Sequence, residues 1–324
     1  MELEINTFTL QSAYDGLPLT VAFLVPGGQN SEPAAAPRAI VQLVHGMCEH
    51  KERYYPLMQY LVSKGFICVI HDHRGHGGSV RSADDLGYFY EGGYRAAVED
   101  THQVTQWAKE NFPGLPLFLF GHSMGSMVVR SYTKKYDGEL SGLIVCGSPS
   151  KNPAAGAGIL LARLCGIFGG SRCRPALIQN IAFGSYNNSF PDAKSPNSWI
   201  CSNEDIVHQY DADPLCNYRF TANGFENLFA LMQDTYSSNG WKVSKPDLPI
   251  YFIAGANDPC ITSEKRFGEA VRFMSQVGYR NVGSKLYPGM RHEIHNETAK
   301  ADVWKDIADT IDSWILLKQS LCRH

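Results

Sequence analysis

The chain has 324 residues, 44% hydrophobic and 19% charged, a globular composition long enough to bury a sizeable core. Its formal net charge of −3 offers no broad basic surface for nucleic acid, and no run reaches the roughly 18 to 20 apolar residues of a membrane span. The nine cysteines are scattered without a CxxC pair, which reads as reduced packing thiols rather than disulfide staples, a zinc ribbon or a thioredoxin-like site.

The opening MELEINTFTLQSAYDG has neither the basic start nor the apolar core of a secretory signal, so a cytoplasmic location is expected. Residues 3–9 and 18–25 flank the turn Tyr14-Asp15-Gly16 and predict an antiparallel hairpin at a sheet edge. Short apolar runs at 38–44, 66–71, 116–120, 141–146 and 249–253 predict buried parallel strands. Between the first two, Tyr54, Leu57, Met58, Leu61 and Val62 paint one face of a helix. The rhythm breaks between 150 and 223, where GAGILLARLCGIFGG precedes a polar stretch rich in Asn, Ser and Pro. It resumes with Phe225, Leu228, Phe229 and Met232, and ends in a helical pattern from Trp304 to Ile315. Alternating strand and helix predict an α/β fold: a mostly parallel, doubly wound sheet formed by residues 1–149 and 224–324, with 150–223 inserted as a cap.

The sharpest local signal is Gly121-His122-Ser123-Met124-Gly125. The run PLFLF precedes it and a helical pattern follows, so the serine sits on the strand-to-helix turn that exposes a nucleophilic hydroxyl. A serine hydroxyl is a poor nucleophile at neutral pH; it needs an imidazole to take its proton and a carboxylate to orient the ring. Asp258 follows the strand PIYFIAGAN, where open α/β sheets gather functional groups. Asp211 and Asp213 lie in the insertion and suit a cap or turn. His292 follows an extended segment and the turn Pro288-Gly289, and His295 stands three residues on; both keep the order serine, acid, histidine. Glu293 beside them reads as a solvated or supporting group. Acyl transfer also needs donors for the developing oxyanion. The N–H of Met124 is one candidate, and that of Met47, on the loop His45-Gly46-Met47 after an earlier strand, is the other.

Together with Cys48-Glu49-His50, Arg53-Tyr54, His71-Asp72-His73-Arg74-Gly75-His76-Gly77-Gly78-Ser79, Tyr287-Pro288-Gly289 and His292-Glu293, these motifs resemble the monoacylglycerol lipase and lysophospholipase branch of the α/β hydrolases. The resemblance spans most of the chain outside 150–223. It implies Ser123 as nucleophile, Asp258 and His292 as partners, Met47 and Met124 as oxyanion donors, and Glu49 with Arg53 shaping a polar pocket for a glycerol-like alcohol. The implied substrate is a small-molecule acyl ester such as a monoacylglycerol or lysophospholipid, and neither cofactor nor metal is required.

Three other readings stand beside this one. Amide or peptide cleavage uses the same machinery. His71-x-His73-x-x-His76 with Asp72 superficially matches a dinuclear zinc run, with Gly75 in place of that motif's aspartate. A binding protein without turnover is the third. In the insertion, Ile159, Leu160, Leu161, Leu164, Ile167 and Phe168 leave Arg163 nearly alone as a charge. Such a helix must bury itself, line an acyl tunnel or touch a lipid surface transiently; Ile159, Leu160, Leu164 and Phe168 are the candidate acyl contacts. At about 13 residues it is too short to span a bilayer.

Overall fold

The computed structural model describes residues 4–27 and 36–321; Leu3, at the head of the expected first strand, and Cys322 lie outside them. Eight strands form one sheet: β1 (Asn6–Gln11), β2 (Pro18–Leu24), β3 (Ala39–Val44), β4 (Phe66–His71), β5 (Leu117–His122), β6 (Gly142–Cys146), β7 (Ile250–Gly255) and β8 (Val282–Tyr287). Their spatial order is β1-β2-β4-β3-β5-β6-β7-β8. β1 and β2 form the antiparallel hairpin at one edge, β2 joins β4 antiparallel, and all later pairings are parallel.

The apolar runs are strands because both faces of the sheet are covered. α1 (Tyr55–Ser63) and α9 (Lys300–Leu321) contribute to one buried cluster, with Leu57, Met58, Leu61, Val303, Ile307 and Ile311. α2 (Gly93–Asn111), α3 (Met124–Tyr136), α7 (Ala222–Thr235) and α8 (Glu264–Gln276) contribute to the other. Along β3, Ala39, Val41 and Leu43 join the first cluster while Ile40 and Val44 join the second, the period of two that a pleated strand imposes. Gln42 interrupts that series without loss: its amide donates to the Thr101 carbonyl at 2.9 Å and accepts from Thr105 Oγ1 at 2.7 Å. A buried polar group left unpaired here would cost on the order of 1–3 kcal/mol.

Between β6 and α7 the chain forms α4 (Ala155–Gly169), α5 (Ala176–Phe183) and α6 (Glu204–Ala212), with α4 packed along α7. The option that α4 buries its whole circumference is not what forms. Ile159 packs inward, but Leu160 is 60% exposed, Ile167 74% and Phe168 86%. Among the described residues no helix is long and apolar enough to cross a membrane.

Candidate active site

β5 runs into α3 through a single residue, Ser123, with φ 53° and ψ −120°. A non-glycine residue held there costs on the order of 1–3 kcal/mol, so its surroundings must impose it. The Ser123 N–H donates to the Cys146 carbonyl at 2.9 Å. A Cβ on Gly125 would lie 2.2 Å from the Val44 carbonyl oxygen, and one on Gly121 would lie 2.5 Å from the Gly125 carbonyl. Only glycine permits that approach, which draws the end of β3 against the turn. In consequence the loop His45-Gly46-Met47 passes beside Ser123: a Cβ on Gly46 would stand 3.0 Å from that of Ser123. Met124 opens α3, so its N–H is among those a helix leaves without an intrahelical partner. Met47, Ser123 and Met124 all line one cavity.

Asp258 follows β7, and its Oδ1 accepts the Cys260 N–H at 2.8 Å. Its Oδ2 lies 2.9 Å from His292 Nδ1. The loop carrying His292 crosses the end of β7 closely enough that a Cβ on Gly255 would meet the Arg291 carbonyl at 2.1 Å. Both groups are buried, yet His292 reaches the cavity wall. Burial alone would press the imidazole pKa down; the Asp258 carboxylate, with Cys260, outweighs it and lifts the pKa well above the usual value. No hydrogen bond joins Ser123 Oγ to this ring among the described residues; His292 Nε2 lies 3.9 Å from Cys260 Sγ.

The other candidates are placed elsewhere. His295 stacks on Tyr54 behind His122, with ring centroids 4.8 Å from Tyr54 and 4.7 Å from His122. Asp211 accepts from Ser195 and Asn197, and Asp213 pairs with His50 at 2.8 Å. His73 Nε2 and His76 Nδ1 each lie 3.0 Å from a backbone carbonyl, and His71, His73 and His76 do not converge as a metal-ligand trio among the described residues.

Glu49 and Arg53 part company. Glu49 lines the cavity, and its Oε1 accepts from the Gly46 N–H and from the Tyr54 hydroxyl at 2.8 Å. Burial pushes the Glu49 carboxyl up, but His122 and Arg53 outweigh it and hold the group well below the carboxylate range. Arg53 stands behind that wall, paired with Glu293 Oε2, 3.4 Å from Glu49 Oε2, and over the Tyr210 ring at 4.9 Å. Glu293 is therefore buried and paired rather than solvated. Stranding either carboxylate would cost on the order of 3–5 kcal/mol, which commits Arg53 to the scaffold rather than to an alcohol pocket.

The cavity, of about 650 Å³, is walled on its apolar side by Gly158, Leu161, Ile178, Leu228, Phe229 and Met232. On α4, Leu161 and Gly158 face it, whereas Ile159, Leu160, Leu164 and Phe168 do not. A helix apolar on every side carries no polar arc to show which way it turns. Trp199, from the polar stretch after α5, packs on His292 with ring centroids 5.1 Å apart. The same stretch is fastened to the His292 loop by Glu293 N–H to the Ile200 carbonyl at 2.7 Å and Ser202 N–H to Glu297 Oε1 at 2.9 Å. Sequence reasoning missed Trp199, which no local pattern marks. It also passed over Cys260, which the spacing of two from Asp258 could have flagged.

The family described as Serine aminopeptidase, S33 matches residues 35–299. The chain is similar to the monoacylglycerol lipase of Mycolicibacterium smegmatis, 28% identical over 289 residues that cover 88% of this chain and 90% of that protein. It is similar to a solved carboxyl esterase of Bacillus coagulans in complex with glycerol, with a TM-score of 0.87 at 29% identity over 97% of this chain and 100% of that one. A soluble variant of monoglyceride lipase from Saccharomyces cerevisiae in complex with a substrate analog shares the fold, with a TM-score of 0.68 at 22% identity over 97% and 95%. The chain belongs to the Serine aminopeptidase, S33 family, as a serine hydrolase of the α/β hydrolase fold similar to the monoacylglycerol lipases.

Proposed function

We propose that this enzyme cleaves acyl esters of small alcohols, with monoacylglycerols and lysophospholipids as the substrate class, through an acyl-enzyme on Ser123. The observation that carries the reading is the 2.9 Å pair of Asp258 Oδ2 and His292 Nδ1, with His292 and the strained Ser123 turn lining one cavity. Ser123 Oγ attacks the carbonyl carbon, and its proton passes to His292 Nε2. That contact forms on substrate binding, when catalytic hydrogen bonds tighten. The tetrahedral oxyanion takes the N–H groups of Met47 and Met124. His292 returns the proton to the leaving alcohol, and water repeats the attack on the acyl-enzyme. Residues 150–223 act as the cap of the core formed by 1–149 and 224–324, and Leu161 of the cap with Phe229 and Met232 of the core receives the acyl chain.

Amide cleavage, the activity in the family's description, would be served by a free carboxylate for an amino terminus. Glu49 and Glu293 line the cavity, but both pair with Arg53, which favours the ester. A panel of monoacylglycerols, p-nitrophenyl esters and aminoacyl anilides tests this. Turnover of glycerol esters with a preference for longer chains is expected; anilide turnover above ester turnover overturns the reading.

The outward arc of α4 and α5, with Leu160, Ile167, Phe168 and Leu177 exposed, suits a transient lipid-surface contact. Ile167→Glu is expected to reduce hydrolysis of vesicle-borne monoacylglycerol about tenfold, with hydrolysis of a dissolved short-chain ester changed by less than about twofold. An equal loss on both substrates would assign α4 to the fold instead.

A further inference from the structure

The side chain that meets the base nitrogen has no part in acyl transfer. His292 lines the cavity, and its Nε2 faces Cys260 Sγ at 3.9 Å. Behind the ring, Nδ1 is held by Asp258 Oδ2 at 2.9 Å. Metal-binding histidines are commonly arranged in this way: a carboxylate takes the proton of one ring nitrogen, fixes the tautomer and leaves the other nitrogen's lone pair outward. The donor atoms of Asp258, Cys260 and His292 all lie within 4.8 Å of one another. With Zn–S near 2.3 Å and Zn–N near 2.1 Å, a tetrahedral ion spans sulfur and nitrogen over about 3.6 Å, so the observed separation closes with a small side-chain rotation.

Two other groups converge among the described residues, His122–Cys146–His295 and His50–Asp213–Cys216. The first is buried at 0 to 1% exposure, and His122 Nε2 already meets the His292 carbonyl at 3.2 Å. In the second, His50 has carboxylates at both ring nitrogens. At the third, both His292 and Cys260 open on the cavity.

We propose that Cys260 Sγ and His292 Nε2, backed by Asp258, chelate a thiophilic divalent cation such as Zn²⁺ within the cavity, and that its binding shuts the enzyme off. The thiol proton leaves to solvent as the S–Zn bond forms, and no electron is transferred. The ion then holds the lone pair that Ser123 needs, so inhibition is reversible and lifted by a chelator. Mg²⁺, which demands oxygen ligands in octahedral geometry, has no such site here. The inhibitory half of the proposal rests on His292 being the base; the binding half does not.

The test is a Zn²⁺ titration of ester hydrolysis by wild type and Cys260→Ser, each normalised to its own rate in EDTA. A Co²⁺ titration of both proteins runs beside it, read by the thiolate-to-cobalt charge-transfer absorption. Wild type is expected to lose activity with Zn²⁺, recover it with EDTA and ignore Mg²⁺. Cys260→Ser is expected to need more than about tenfold more Zn²⁺ and to lack the cobalt band. Equal zinc sensitivity in the two proteins, or a cobalt band that survives Cys260→Ser, overturns the site. A Cys260-dependent cobalt band in an enzyme whose turnover ignores Zn²⁺ would uphold the chelate and overturn His292 as the base.

Discussion

Ser123→Ala is expected to lower kcat by a factor on the order of 10⁵ to 10⁶ while leaving the protein folded. The separation of the two effects follows from the turn. Alanine keeps the Cβ and differs only by the oxygen, so the φ 53° conformation, the Ser123 N–H bond to Cys146 and the glycine contacts with β3 are undisturbed. What disappears is the only atom of this residue able to carry the acyl group. A residual rate over water is expected to survive, because the proposed oxyanion donors and the cavity would still bind the transition state. Steady-state hydrolysis of a glycerol ester, with thermal melting alongside, measures both. A loss of less than about tenfold with an unchanged melting temperature would place the nucleophile elsewhere.

Asp258→Asn comes next in size, with kcat expected to fall by about 10⁴. The amide can still meet the Cys260 N–H, but it no longer offers a negative oxygen to the ring, so His292 takes the wrong tautomer and its imidazolium goes unsupported. The pH profile adds a direction. Serine attack needs a neutral imidazole, and in the wild type the Asp258 carboxylate, aided by Cys260, outweighs burial and holds the His292 pKa well above 6.5. Activity in kcat/KM therefore fades as pH drops through a value above 6.5. In Asp258→Asn the main raising influence is gone, and the acid limb moves to lower pH even as the ceiling falls. Rates measured across pH in the presence of EDTA check this; an unmoved limb would mean that another group governs it.

Much of the architecture was legible in the sequence because two periodicities express it. The runs at 66–71 and 249–253 are apolar throughout since helices cover both faces of those strands, and the hairpin around Tyr14-Asp15-Gly16 announces itself by a turn between two extended segments. The helices α2 and α8 went unread. α2 mixes Gly, Arg, Glu, Asp, His and Gln with a discontinuous apolar face, and its small buried residues, Ala96, Ala97 and Ala108, mark no stripe by bulk. α8 carries charges on most of its surface and buries only Phe267, Ala270 and Met274.

Around the site, the sequence by itself determined the local devices: a glycine-bracketed serine between strand and helix, an acid just past β7 and a histidine after the turn that ends β8. Each is a relation between neighbours in the chain. Only the tertiary structure decided that Arg53 is locked between two buried carboxylates, that Leu161 rather than Leu160 or Phe168 faces the cavity, and that Trp199 and Cys260 stand against His292. The physical reason is distance along the chain. Arg53 meets Glu293 across 240 positions, and Trp199 meets His292 through two loops of different origin. No local propensity encodes such a meeting, which arises when the sheet order and the packing of α4 on α7 bring separate ends together.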